Sequence, residues 1–306
     1  MNQIISSRVN RLENTLVFGE NLDRGSFISG LSKNLVAGQS RMVKNVGNCE
    51  YTHCGVGFGL MMSGFNAVLF VKQLDFMMLG IDHFVSTYGL IRAHEMGKSL
   101  GSFTIVTAIY DQGFQGPQSS FRGLAEICSM SGASAFLLQD ACDAEKIADE
   151  ELGKSGFRFL ALSQGKASDE CGKLEIVGSS SDNSAIQFET GSDVTIVCFG
   201  YTLSYGSALS SEMKVLGYSA SLFTINYVCD ADWGNAIAES SRNNKLVIID
   251  DTRGTTSLAF RFLVEALEFD RNVNFNIVRT RESISTEVSD EKFQFNSKDV
   301  LNKVFG

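Results

Sequence analysis

The chain has 306 residues, 44% of them hydrophobic and 20% charged, which excludes disorder and supplies core enough for two domains. Its 26 Lys and Arg stand against 35 Asp and Glu, a net charge of −9 that argues against a general nucleic-acid or anionic-membrane binder. No run approaches the roughly 18 apolar residues that span a bilayer. The first residues, 1–14, lack the apolar core of a signal peptide, so the expectation is a soluble, cytoplasmic protein. The seven cysteines form no CxxC, and the three histidines are His53, His83 and His94. Reduced thiols and no metal site are expected. One proline, Pro117, stands against 29 glycines, so turns are built from Gly, Asn, Asp and Ser.

Strand-like apolar runs alternate with helical stretches. In the first half the pattern predicts a strand at 15–18, a small-residue helix at 50–63, a strand at 67–72 and a long helix at 76–96. A strand at 103–110 follows, then a loop at 111–120, a helix at 121–131, a strand at 135–139, a helix at 143–152 and a strand at 157–162. Residues 165–192 are polar and rich in Gly and Ser, and read as a linker carrying a short hairpin. The alternation then resumes with strands at 194–199, 219–226, 246–250 and 273–278 and helices at 203–216, 233–241 and 257–269. Strands separated by helices imply an α/β fold of two domains, each a mostly parallel sheet with helices on both faces. The expected division is 1–164, a linker at 165–192, and 193–306.

Gly55-Val56-Gly57-Phe58-Gly59 is not GxGxxG and does not follow the N-terminal strand of a dinucleotide-binding unit. No GxxxxGK[ST] occurs. The glycines are better explained as small residues that let this helix approach another closely. A nicotinamide-binding or flavodoxin-like reading lacks its fingerprint. Glu50, just before this helix, is favourable at a positive helix end on local grounds alone.

The order from Asn45 to Arg92 carries more. Glu50 is followed by Gly55 and Gly59, then Gly64-Phe65 and an apolar strand. Gln73-Leu74-Asp75-Phe76 comes next, then Asp82-His83-Phe84-Val85 and Arg92. With Gly19-Glu20-Asn21 near the start, this order resembles the pyrimidine-binding domain of thiamine diphosphate enzymes in the transketolase-like group. The nearest variant is the β subunit of the 2-oxo-acid dehydrogenase first component. The second domain resembles that family's C-terminal domain, and the resemblance runs from about residue 14 to 300.

What the resemblance implies is specific. Glu50 would hydrogen-bond the pyrimidine ring nitrogen of thiamine diphosphate, so that the cofactor's own aminopyrimidine becomes a base toward its thiazolium. Phe76, next to Asp75, would pack on the pyrimidine face, where stacking contributes on the order of 0.5–1.5 kcal/mol beyond burial. The Gly-Asp-Gly motif that binds metal and diphosphate is missing. The resemblance therefore implies a separate subunit with the diphosphate-binding domain and most of the Mg²⁺ contacts, in a heterodimer or α2β2 heterotetramer. The family's loop His is also missing: the loop reads Gln115-Gly116-Pro117-Gln118-Ser119-Ser120, and either Gln118 or Ser119 stands in its place. Gln donates and accepts hydrogen bonds but does not shuttle a proton near neutral pH. His53, three residues past Glu50, is a candidate for substrate contact. The expected function is a β-type subunit of an enzyme cleaving and forming C–C bonds next to a carbonyl, by ketol transfer or by 2-oxo-acid decarboxylation with acyl transfer. The alternative is a non-catalytic regulatory or structural subunit on the same fold. Retention of Glu50 speaks against that alternative, because proton removal needs the carboxylate and the fold does not.

Overall fold

The computed structural model describes residues 1–94, 100–111, 121–164, 174–229, 231–252, 257–279 and 293–306. Two compact units account for the chain, Met1–Tyr110 with Gln115–Gly172, and Asp111–Phe114 with Lys173–Gly306.

The first unit runs α1 (Asn2–Val9), β1 (Thr15–Gly19), β2 (Arg41–Asn45), α2 (Glu50–Met62) and β3 (Asn66–Val71). A 3-10 helix (Leu74–Gly80) and a π-helical turn (His83–Thr87) lead into α3 (Tyr88–His94). Then come β4 (Ser102–Ile109), α4 (Leu124–Ser131), β5 (Ser134–Leu138), α5 (Ala141–Glu151) and β6 (Gly156–Ser163). The six strands form one sheet in the order β2-β1-β3-β4-β6-β5, and every pairing in it is parallel. Its interior strands are near-continuous apolar runs, as a sheet covered on both faces requires.

Aromatic packing fixes α2 and the following helical segment on this sheet. Phe58 of α2 meets Phe103 of β4 and Phe157 of β6 edge-on, with ring centroids 5.1 and 4.9 Å apart. Phe84 and Tyr88 pack on the same Phe157 ring. Gly57 makes the approach feasible, because a Cβ there would lie 2.3 Å from the Phe103 ring. Gly55 faces His83, whereas Gly59 has open space beside it. The glycine run thus serves close packing, as expected, but against a strand at Gly57 and a helical turn at Gly55.

The single long helix expected at 76–96 is instead three pieces. Gly80 lies where a Cβ would come within 2.5 Å of Cys54 Sγ, so the chain runs hard against α2 at the end of the 3-10 helix. The next turn is widened to π geometry, with His83 Nδ1 2.9 Å from Thr87 Oγ1 across it. Apolar spacing does not reveal such a change of helical pitch.

The second unit comprises β7 (Gly178–Ser179), β8 (Ala185–Glu189), β9 (Val194–Phe199), α6 (Leu203–Val215), β10 (Ala220–Ile225), α7 (Gly234–Asn243), β11 (Lys245–Asp250), α8 (Leu258–Phe269), β12 (Asn274–Arg279) and α9 (Ser297–Phe305). Its sheet has the order β12-β11-β9-β10-β8-β7. The pairings among β12, β11, β9 and β10 are parallel. The hairpin expected within 165–192 is β7–β8, and it extends this sheet, with β8 antiparallel to β10. The core gathers Phe199, Phe223, Trp233 and Phe262. Among the described residues, no helix is long and apolar enough to cross a membrane.

Candidate functional site

The order of the first sheet creates a crevice. From β1 the chain goes outward to β2, then returns past β1 to β3. Connections leave in opposite directions at this point, and the carboxyl ends of such strands are where open α/β sheets hold ligands. A cleft of about 140 Å³ lies there. Gly19, Glu20 and Asn21 line it from the end of β1, and Leu69, Phe70, Val71 and Lys72 from the end of β3. Asn48, Glu50 and His53 line it from the start of α2, and Phe76 from the 3-10 helix. Ser26 and Ile28 close another side.

Local sequence explains how the walls are held. Gly19 sits opposite Phe70 in the β1–β3 register, and a Cβ on it would lie 2.4 Å from the Phe70 carbonyl oxygen. Only glycine allows the two strands to meet so closely at the cleft floor. The loop after β1 is tied down through Leu22. Leu22 N–H donates to Asn45 Oδ1 at 2.6 Å, and Ser32 Oγ donates to the Leu22 carbonyl at 2.8 Å. Phe27, Ile28 and Ser29 all have left-handed backbone, with φ of 51°, 52° and 55°. That conformation costs about 1–2 kcal/mol per residue and is unusual for a β-branched side chain. Strain of this kind concentrates at functional sites.

Glu50 is the first residue of α2 and is only 7% exposed. The positive helix end favours its charge. The Asn48 side-chain amide, turned with its NH₂ toward the carboxylate, lies 3.2 Å from Oε1 and 3.1 Å from Oε2. A carboxylate has about four acceptor sites. Glu50 therefore keeps acceptor capacity for a donor in the cleft. Its charge is also felt next door: burial first, and Glu50 second, push the Cys54 thiol up to about 12. Cys49, the N-cap residue, behaves oppositely. Hydrogen bonding from Thr52 holds its thiol below the ordinary value, with Thr52 Oγ1 3.0 Å from Sγ.

His53 follows on the same face of α2 and is 8% exposed. Its ring stands edge-on to Phe18, with centroids 6.4 Å apart. Phe76 is half-buried against the same cleft. Asp75 does not line the cleft. Its Oδ1 accepts the Phe121 backbone N–H at 2.9 Å, which fastens the chain at Phe121 to the 3-10 helix. Gln118 and Ser119 lie outside the described residues.

Glu50, His53 and Phe76 are thus brought to one cleft, and Asp75 stands behind it as a support. Asn48, Glu20 and Lys72 were not singled out from sequence as site residues. The available signal was positional, since Glu20 and Lys72 immediately follow adjacent parallel strands. Among the described residues, no group of three or more His, Cys, Asp or Glu is placed to hold a metal ion.

No family model matches the sequence, and no curated protein matches it. Solved structures do match in fold. A split-gene transketolase, described as an inactive β4 tetramer, superposes with a TM-score of 0.68 at 15% identity, over 99% of this chain and 94% of that one. Transketolase from Campylobacter jejuni subsp. jejuni NCTC 11168 superposes with a TM-score of 0.66 at 14% identity, over 99% of this chain and 43% of that one. At such identities the likeness is one of fold: an α/β architecture of the transketolase type.

Proposed function

We propose that this chain holds the pyrimidine half of thiamine diphosphate in a two-subunit enzyme that cleaves and forms C–C bonds next to a carbonyl. The observation that carries the reading is Glu50: a buried carboxylate with spare acceptor capacity, in a cleft at the switch point of the first sheet. The donor set fits an aminopyrimidine. Glu50 accepts from a ring N–H, Asn48 orients the carboxylate, and the half-buried Phe76 ring offers an apolar face. When bound, thiamine diphosphate would supply the carbon acid and electron sink that the chemistry requires. This chain's part is to fix the pyrimidine, keep the Glu50 charge beside it and shield both from water.

The sequence has no Gly-Asp-Gly, so diphosphate and Mg²⁺ are assigned to a separate subunit, in a heterodimer or α2β2 assembly. A split-gene transketolase among the fold neighbours supports a division of this kind, and supports ketol transfer ahead of 2-oxo-acid decarboxylation. Residues 1–164 form the pyrimidine-binding domain in this reading, and 193–306 form the C-terminal domain, whose sheet the β7–β8 hairpin of the connecting stretch 165–192 joins. Gln118 or Ser119 contacts substrate without carrying charge. The protein works in the cytoplasm. A non-catalytic subunit would have no use for a buried carboxylate in an open cleft.

Calorimetry distinguishes these readings. The isolated chain should give little or no heat with thiamine diphosphate and Mg²⁺. The complex recovered through a tag on this chain should bind the cofactor, and Glu50→Gln should weaken that binding. Tight binding by the isolated chain contradicts the division of the site between subunits.

A further inference from the structure

We propose that the groove between α7 and the β7–β8 hairpin binds an uncharged polyhydroxy compound, a monosaccharide in its ring form. The groove stands apart from the cofactor cleft, because all of its residues lie within Lys173–Gly306.

The way the second sheet is covered creates this groove. α7 packs on β9 and β11. In the order β12-β11-β9-β10-β8-β7 the two hairpin strands therefore extend beyond the helix. A cavity of about 350 Å³ lies between them and α7. Small-molecule pockets span about 300–1,000 Å³. Gly178, Gln187 and Phe223 stand abreast in register on its floor. Gly178 keeps that floor low, since a Cβ there would lie 3.2 Å from Gln187 Oε1. Asn235, Ala238, Glu239 and Arg242 form the opposite wall, at spacings that put them on one face of α7.

The polar groups of the groove have capacity to spare. Glu239 is 7% exposed. Its Oε1 accepts from Ser221 Oγ at 2.8 Å, and its Oε2 pairs with Arg242 Nη1 at 2.7 Å. A carboxylate has about four acceptor sites and a guanidinium five N–H donors, so each keeps some for a ligand. Gln187 turns its NH₂ to the Glu189 carbonyl at 3.1 Å and to Thr190 Oγ1 at 3.4 Å, which leaves Oε1 as an acceptor. The exposed Asn235 amide and the Ser179 hydroxyl each donate and accept.

Charge selects the ligand class. The ionisable groups lining the cavity are Glu239 and Arg242, and they neutralise each other. An anion would bring its charge against the buried Glu239 carboxylate, and a cation would bring its own against Arg242. A zwitterion offers two charges to groups that already cancel. A sugar hydroxyl donates and accepts through one atom. Two adjacent hydroxyls thus match the pair side by side, one donating to Glu239 and its neighbour accepting from Arg242. Ala185 and Ala238 supply apolar surface for the C–H groups of the ring.

The test is NMR of the full ¹⁵N-labelled chain, titrated in turn with D-xylose, glycine and inorganic phosphate. D-Xylose should shift the side-chain amides of Gln187 and Asn235, and glycine and phosphate should not. Ala238→Leu fills the groove without touching the ion pair and should abolish those shifts. Arg242→Gln, at an exposed position, should weaken xylose binding by about tenfold or more, the loss of one charge-assisted hydrogen bond. The Arg242 variant keeps the test decisive if the Ala238 variant does not fold. Absence of xylose shifts at Gln187 and Asn235, or shifts that persist unchanged in a folded variant, overturns the site. Shifts there with glycine or phosphate but not with xylose overturn the ligand class.

Discussion

The Asn48 amide reaches both carboxylate oxygens of Glu50, at 3.1 and 3.2 Å, across the N-cap of α2. Cys49 between them has extended φ of −161°, so the backbone turns into the helix with both side chains on the cleft side. Removing the amide leaves a nearly buried charge short of its donor. Asn48→Ala should destabilise the chain by about 1–3 kcal/mol. Thermal or urea unfolding measures it, and a change below a few tenths of a kcal/mol would show that the amide does not hold Glu50.

The glycine run in α2 makes opposite predictions two residues apart. Gly57→Ala places a methyl 2.3 Å from the Phe103 ring and should cost about 1–3 kcal/mol. Gly59→Ala meets nothing within 4 Å and should stabilise by about 0.5–1 kcal/mol through helix propensity. Denaturant midpoints of the two variants should move in opposite directions.

The two cysteines flanking Glu50 should differ in reactivity and in pH linkage. Cys49 is exposed with a depressed thiol, so an alkylating agent should modify it first in the folded chain. Mass mapping after brief exposure should find Cys54 intact.

Cys54 is pushed up to about 12 by burial and by Glu50, from an ordinary value of 9.0. Above pH 9 the unfolded chain releases this proton while the folded chain retains it. Stability should therefore fall as pH rises from about 9 toward 12, by at most about 1.4 kcal/mol per pH unit for this one group. Cys54→Ala should flatten that part of the stability profile. An unchanged slope would mean that other groups dominate it.

Much of the fold is legible in the pattern of apolar runs, because buried parallel strands such as β4 and β9 are continuous apolar segments. β2 escapes such a reading. Arg41–Asn45 alternates between half-buried and exposed positions at the sheet edge and carries Arg and Lys, so it resembles a loop. Without β2 the reversal of strand order is invisible, and so is the crevice it creates. Glu50 stands out through its order relative to Gly55, Gly59 and Asp75-Phe76. Lys72, Glu20 and Asn48 owe their place to topology, which local sequence does not encode. Asp75 shows the converse: it is adjacent to Phe76 in sequence, yet its carboxylate is turned to the Phe121 backbone.

The central claim is that Glu50 activates a cofactor held in this cleft. Exchange of the thiazolium C2 proton with deuterated solvent measures that activation directly, in the complex recovered through this chain and loaded with thiamine diphosphate and Mg²⁺. The wild-type complex should exchange the proton far faster than free cofactor, and Glu50→Gln should remove most of that acceleration while the chain stays folded. Exchange at the wild-type rate in Glu50→Gln would contradict the account.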